Sequence, residues 1–437
     1  MPTHEEKVAR IAGELKEYKS TEPVSLKKKS VSHQVPKPQN KKYSDRKIDI
    51  SDLNEIISIN PEEKICIAEP GVTFIELVSA ALKHNLVPMT VPEHKTITIG
   101  GAVAGCSIES MSYKYGGFHD SCIEYEVITA KGDVIICSPE KDNLLFQMLH
   151  GTFGTLGIIS RLKFKLIPAE KFVKMTYEKY SNLEDYKNAI WKHFENKDVD
   201  FIDGIIHSPT EYVLSVGNFV SSAPYTSSYD WTKIYFVSTK NRKEDYLKTV
   251  DYFFRYDKGL TSAHPKSFIG RLLLGKFMSS TRTLQVAEKF HQIIPDNKIP
   301  ITIDLFIPFS RITKFMEWYQ EDFNHFPLWC VPYRKMRDYE WISSSFLNST
   351  KDELFLDIAI YGMKKKDGKN YYRILEEQLI KLGALKTLIS NNFYSEEEFW
   401  TFWNKENYEE IKKRTDPDNI FRGLYEKTCK ASMGLGR

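Results

Sequence analysis

Two glycine-rich stretches hold the residues best suited to chemistry. Thr98-Ile-Gly-Gly-Ala-Val-Ala-Gly-Cys-Ser-Ile-Glu-Ser110 interleaves Gly100, Gly101 and Gly105 with small side chains. Where no Cβ stands in the way, backbone N–H groups can approach an anionic or planar ligand. A second run, Gly151-Thr-Phe-Gly-Thr-Leu-Gly157, leads straight into an alternating apolar segment. Neither run has the G-x-G-x-x-G or G-x-x-x-x-G-K-[ST] spacing, which disfavours Rossmann and P-loop nucleotide sites. Each run also fits tight turns and close strand packing. A second set of candidates consists of ionisable groups in apolar, strand-like runs: Asp304, Glu126 and, at a strand end, Tyr361. Burial raises a carboxyl pKa and keeps a proton available for general-acid work. Each of the three reads equally as a structural hydrogen-bonding group. There is no G-x-S-x-G, no H-E-x-x-H and no clustered Cys/His spacing, so no metal site is expected.

The elements that must position these groups change in texture along the chain. Met1–Ser20 is charged and helix-like. Lys64–Ala68 is β-prone, and Thr73-Phe-Ile-Glu76 is a capping box that opens a helical face through about Lys83. Tyr125–Ala130 and Val134–Cys137 flank Lys131-Gly-Asp133 as a hairpin. Asn143–Leu149 reads as a helix, and Leu156–Leu166 as a half-exposed strand. After Pro168 the aromatic content rises and the glycine turns thin out. Ile301–Ile307 and Glu353–Tyr361 read as strands; Leu183–Glu195, Leu284–Ile293 and Tyr371–Leu382 read as helices. The expected organisation is an N-terminal helix (1–20), a glycine-bearing domain (21–170), a second domain (171–400) and a C-terminal segment (401–437) that returns to the first.

Length and composition set the outer limits. The chain has 437 residues, 41% of them hydrophobic and 27% charged, enough for two or three cooperating units and incompatible with a disordered or collagen-like chain. A net charge of +3 argues against nucleic acid as a partner. No apolar run of about 18 residues is present, and Met1–Ser20 lacks the apolar region of a secretory signal. The six cysteines form no C-x-x-C pair, so reduced thiols in a cytoplasmic setting are the expectation. Leu26–Ile48 holds eight Lys/Arg against one acidic residue, Asp45. Such a flank suits phosphate, or peripheral contact with anionic lipid through residues 27–47.

The two glycine runs, with Tyr115-Gly116 between them and Asp416-Pro-Asp-Asn-Ile-Phe421 near the end, resemble the vanillyl-alcohol-oxidase-like (PCMH-type) FAD proteins. Within that family the pattern is most similar to the Δ24-sterol reductases. Val91-Pro-Glu, Ile108-Glu-Ser110, Lys114-Tyr-Gly116, Gly154-Thr-Leu-Gly157, Leu328-Trp329, Tyr361-Gly362, Glu397-Glu-Phe-Trp400 and Tyr425-Glu-Lys-Thr-Cys-Lys-Ala431 carry the likeness. The resemblance implies an α+β fold: a two-part FAD-binding domain plus a substrate (cap) domain with an antiparallel sheet and helices. It implies that FAD is held by Ser32, His33, Gln34 and Val35, by Pro92, Thr98, Ile99, Gly100, Gly101, Gly105, Cys106, Ser107 and Ser110, by Tyr115 and Gly116, and by Gly154, Thr155, Gly157 and Ile158. Two departures stand out. The charged N-terminus replaces the family's hydrophobic anchor, and the loop Ser30-Val-Ser-His-Gln-Val35 lacks glycine.

The activity so implied is reduction of an isolated C=C bond in a sterol or isoprenoid-like lipid, with FAD as cofactor and NADPH as reductant. An oxidase or dehydrogenase of an alcohol or sugar is the alternative. An unactivated alkene needs a proton at one carbon while hydride reaches the other, so a general acid is required. Tyr361 is the first candidate, followed by Asp304 and Glu126. Arg282 is a candidate for substrate or phosphate, and Trp329 and Trp400 for an apolar ligand; Trp400 lies in the aromatic stretch Phe393–Trp403. His33 and Cys106 are out of context for covalent flavin attachment, so the FAD is expected to be non-covalent.

Overall fold

The computed structural model describes residues 2–30, 33, 35, 37, 40–229, 233–257, 300–364 and 368–435. Ser32, Gln34, Arg282 and the expected helix Leu284–Ile293 therefore lie outside the described residues. Two parallel strands, β1 (Val24–Lys27) and β2 (Arg46–Asp49), precede the first large sheet. That sheet contains β3 (Ile56–Asn60), β4 (Ile65–Ala68), β5 (Leu86–Pro88), β6 (Cys122–Ile128), β7 (Val134–Cys137) and β8 (Ile158–Pro168). Their order is β3-β4-β8-β6-β7, with β5 paired to the end of β8. The second sheet is antiparallel and runs β12-β9-β11-β10-β14-β15-β13-β16. Its strands are β9 (Phe172–Tyr180), β10 (Phe201–Ser208), β11 (Glu211–Val220), β12 (Glu244–Lys248), β13 (Ile301–Pro308), β14 (Leu328–Arg334), β15 (Leu354–Met363) and β16 (Leu385–Lys386). The α+β class expected from the sequence is the one observed.

Local sequence explains the element ends. The helix Phe74–Ala81 starts on the Thr73/Glu76 capping box and buries Phe74, Leu77, Val78 and Ala81. It tightens to a 3₁₀ turn over Leu82–His84 and stops at Asn85, which takes a left-handed backbone. The glycine run holds a short helix, Ile99–Ala104, capped by the Thr98 hydroxyl, which accepts from Gly101 N. A Cβ on Gly100 would sit 2.5 Å from Pro70 Cβ, so only glycine lets this turn dock. The strand expected from Leu156 begins two residues later. Gly157 has φ +149°, and a Cβ there would meet Val127 at 2.7 Å, so Leu156-Gly157 belongs to the turn.

Alternation in the second sheet separates two environments. Ile303, Leu305 and Ile307 on β13, with Leu356, Ile358 and Ile360 on β15, bury one face. They pack against the helices Leu183–Asn196, Ile312–Asp322 and Tyr371–Leu382. The residues between them face the other way, toward the first domain. Register sets Asp304, Ala359, Trp329 and Ile205 in one row and Phe306, Asp357 and Val331 in the next.

The chain ends lock onto the first sheet. The N-terminal helix His4–Glu17 buries Val8, Ile11, Ala12 and Leu15 against Ile48, Leu53, Ile128 and Phe421. At the other end, Asp416 accepts from the amides of Ile420 and Phe421, shaping the turn that lays Phe421 beside Val24. Arg422 pairs with Asp45 across the same seam.

The two sheets are joined by a buried charge cluster. Arg255 Nη2 lies 2.9 Å from Glu109 Oε1 and 3.1 Å from Asp203 Oδ2, and all three side chains are buried. Glu109 follows the glycine run, whereas Asp203 sits on β10. Trp329 Nε1 and Tyr256 OH also donate to Asp203, and the guanidinium stacks 4.0 Å from the Tyr252 ring. Burial and the neighbouring Asp203, partly offset by Arg255, raise the Glu109 pKa to about 7. Arg255→Leu is expected to cost about 3–5 kcal/mol, because it strands two buried carboxyls. The loss should be smaller at about pH 5 than at about pH 8, because the stranded carboxyls can then take protons. Thermal or denaturant unfolding at the two pH values checks this.

Candidate functional site

A cavity of about 640 Å³ opens between the glycine run and the free face of the second sheet. Such a volume lies in the range of small-molecule sites, about 300–1,000 Å³. One wall is built from Pro92, Thr98, Gly100, Gly101, Gly105, Cys106 and Ser107, with Gly154, Gly157 and Ile158 of the second run and His33 beside them. The opposite wall is the sheet floor: Asp304, Phe306, Trp329, Asp357 and Tyr361. The chain-end segments supply a third side, with Lys27, Lys28, Lys29, Lys42 and Lys47 of the basic flank and Lys427 from the C-terminal return.

Other residues named from the sequence lie off this cavity. Ile99 is in the core, and Ser110 bonds Glu109 and Tyr252. The Gly116 carbonyl accepts from Thr90, Tyr115 lies under Lys114, and Thr155 is bonded by Tyr408. Val35 N donates to Ile389 O behind the wall. Glu126 accepts from Ser160, and its carboxylate contacts His4 at the N-terminal helix. Trp400 packs on Phe399 and Tyr408, and the ring of Phe399 stacks on Trp403 at 4.4 Å, so the aromatic stretch is largely its own core. Only Trp403 of that stretch reaches a smaller apolar chamber of about 90 Å³, which shares Cys106, Phe153 and Phe306 with the main cavity.

The cavity is electrically polarised. At one end Lys427 Nζ donates to Phe153 O, and burial together with Lys42, Lys28 and Lys412 pushes its pKa down to about 7. At the other end burial and Glu93, opposed by the Tyr361 hydrogen bond and His94, push Asp304 up to about 7. Burial, Asp304 and Glu93 drive Asp357 well above the carboxylate range. The Tyr361 hydroxyl donates to Asp304 Oδ1 at 2.5 Å. His94 is drawn down by burial but raised overall by Glu93, at 3.2 Å, and by Asp257. His33, stacked on His94, falls to about 3 through burial and that neighbour. Burial holds the Cys106 thiol well above its ordinary value, in its neutral form.

Sequence reasoning missed Asp357, Phe306, Glu93 and Lys427. The period-2 pattern Phe355, Asp357, Ala359, Tyr361 could have found Asp357, because it shares the face of Tyr361. Lys427 stands in the Tyr425–Ala431 motif without a role assigned to it; the tertiary return of the chain brings it to the cavity.

This arrangement fits FAD. Crowded lysines at one end suit a diphosphate, and the glycine wall leaves room for a planar ring. A Cβ on Gly154 would meet only Gly157 O, at 3.9 Å, so the space beside it is open. A bound anion restores the charge on Lys427, so binding takes up a proton. FAD affinity is therefore expected to weaken several-fold from about pH 7 to about pH 9, and Lys427→Met should lower the affinity and flatten that slope. Titration of the flavin-free protein by fluorescence quenching checks both.

The comparisons agree with the geometry. Residues 1–138 match the FAD binding domain family. The chain is 24% identical to human Delta(24)-sterol reductase over 402 residues, covering 87% of this chain and 77% of that protein. Against the Arabidopsis thaliana Delta(24)-sterol reductase it is 23% identical over 428 residues, covering 88% and 76%. Cytokinin dehydrogenase 7 of Oryza sativa subsp. japonica is 24% identical over 257 residues, 55% of this chain and 48% of that protein. The chain thus joins a glycine-walled cavity to an FAD binding domain match over residues 1–138, and over most of its length it is similar to proteins named Delta(24)-sterol reductase.

Proposed function

We propose that the protein uses NAD(P)H to reduce an isolated C=C bond in a sterol or isoprenoid-like lipid through non-covalently bound FAD. One observation carries this reading: two buried carboxyl groups, Asp304 and Asp357, stand on an otherwise apolar and aromatic floor opposite the glycine wall, where burial raises their pKa. An isolated alkene has no polar handle, so its reduction requires a group that still holds a proton at neutral pH. Similarity to proteins named Delta(24)-sterol reductase supports the substrate class. FAD, when bound, supplies the carrier that accepts hydride from the nicotinamide and passes it to carbon. In this reading Lys28, Lys42 and Lys427 would hold its diphosphate, and Gly101 and Gly105 would leave room for its ring. Tyr361 and Asp304 then stand at the reacting end, and Trp329 shapes the apolar wall.

The basic flank reads best as part of the phosphate end, because several of its lysines line the cavity. Among the described residues no helix is long and apolar enough to cross a membrane. A lipid substrate would have to be met from the membrane surface. Non-covalent attachment is supported by the neutral Cys106 thiol and by His33, whose Nε2 is engaged with Thr96.

Anaerobic mixing tests the function. NADPH should bleach the flavin rapidly, and a sterol with a Δ24 double bond should restore the colour. Bleaching by sugars or polyols instead, with no alkene able to reoxidise the flavin, would favour the dehydrogenase alternative. Acid precipitation should leave a colourless pellet and a yellow supernatant; a yellow pellet would overturn the non-covalent assignment.

A further inference from the structure

We infer that Asp357, rather than Tyr361, delivers the proton to the double bond, an inference that rests on the reductase reading above. Asp357 is central on β15, in register with Phe306 on β13 and Val331 on β14, and it lines the cavity opposite the glycine run. It is 3% exposed, and its Oδ1 has no hydrogen-bond partner among the described residues. An unpaired polar atom in a buried site is costly, so it is retained where a ligand or a reaction uses it. The Tyr361 hydroxyl is already committed to Asp304. Releasing that proton would place a phenolate against the carboxyl group that accepts the bond.

The surroundings keep a proton on Asp357. Asp304 on β13 and Glu93 ahead of the glycine run act on it as carboxyl neighbours, and Tyr361 on β15 and Cys330 on β14 couple to it as neutral acids. Both carboxyl neighbours oppose its ionisation. Burial beside these carboxyls favours the protonated form of Asp357, and among the described residues its Oδ1 is the unpartnered carboxyl oxygen on this stretch of the cavity floor.

The step balances. Hydride originating from NAD(P)H forms one new C–H bond, and the alkene π pair takes the Asp357 proton to form the other. The Asp357 O–H bond breaks, leaving a carboxylate that regains a proton from water. One NAD(P)H and one proton are consumed per double bond saturated.

The test separates the two half-reactions in Asp357→Asn, Asp357→Glu and Tyr361→Phe. Asp357→Asn is expected to retain flavin and to bleach with NADPH, while its reoxidation by a Δ24 sterol slows about 100-fold or more. Asp357→Glu should recover part of that loss, and Tyr361→Phe should lose less than Asp357→Asn. Infrared spectra at neutral pH should show a protonated-carboxyl band in the unmodified protein that disappears in Asp357→Asn. Reoxidation of Asp357→Asn at the unmodified rate, or no change in that band, would overturn the inference and leave the reductase reading standing. Failure of the unmodified protein to be reoxidised by any alkene would overturn the reductase reading and this inference with it. Should Asp357→Asn fail to hold flavin, the band in the unmodified protein and the reoxidation rate of Asp357→Glu decide.

Discussion

The structure depends on the charge cluster of Arg255 with Glu109 and Asp203. One guanidinium ties the segment that follows the glycine run to β10 of the second sheet, and Trp329 and Tyr256 both donate to Asp203 Oδ2. A buried pair of this kind contributes little net stability compared with a well-packed apolar contact, but breaking it is costly. Its effect here is geometric. It fixes the distance between the glycine wall and the sheet floor, which are the two halves of the cavity. Backbone pairing supports it: Ile202 N donates to Ser110 O one residue away from the cluster on each side.

The cavity so fixed carries opposite electrostatic characters at its two ends. Lysines drawn from the N-terminal strands and the C-terminal return crowd one end, and the shifted carboxyls of the sheet floor occupy the other. Neither set is comfortable by itself: buried like charges lower lysine pKa values and raise those of acids. A long ligand with an anionic middle and a flat, weakly polar head relieves the first set and makes use of the second. The same asymmetry gives the ligand one preferred direction.

Much of the fold was legible from local pattern. Alternation in Ile301–Ile307 and Glu353–Tyr361 revealed two central strands, and the Thr73/Glu76 capping box revealed a helix start. Composition marked Asp304 and Tyr361 as polar intrusions in apolar strands, and both line the cavity. Glu126 had the same local signature yet faces the N-terminal helix, because a strand pattern shows that a face is buried and not what covers it. Within the glycine motifs, carried over residue by residue, not every residue lines the cavity. Thr155 and Gly116 lie in the motif, but their bonds go to Tyr408 and Thr90. Lys427 and the Arg255 cluster were invisible because their partners lie hundreds of residues away in sequence or on a different sheet. Such pairings are set by tertiary assembly rather than by any local preference.

A crystal structure of the FAD complex tests the central claim of a polarised cavity most directly. The account predicts the diphosphate among Lys28, Lys42 and Lys427, with the flavin ring between the glycine wall and the floor formed by Asp304, Asp357 and Tyr361. A flavin seated in the reverse direction, or with its ring remote from that floor, would contradict it.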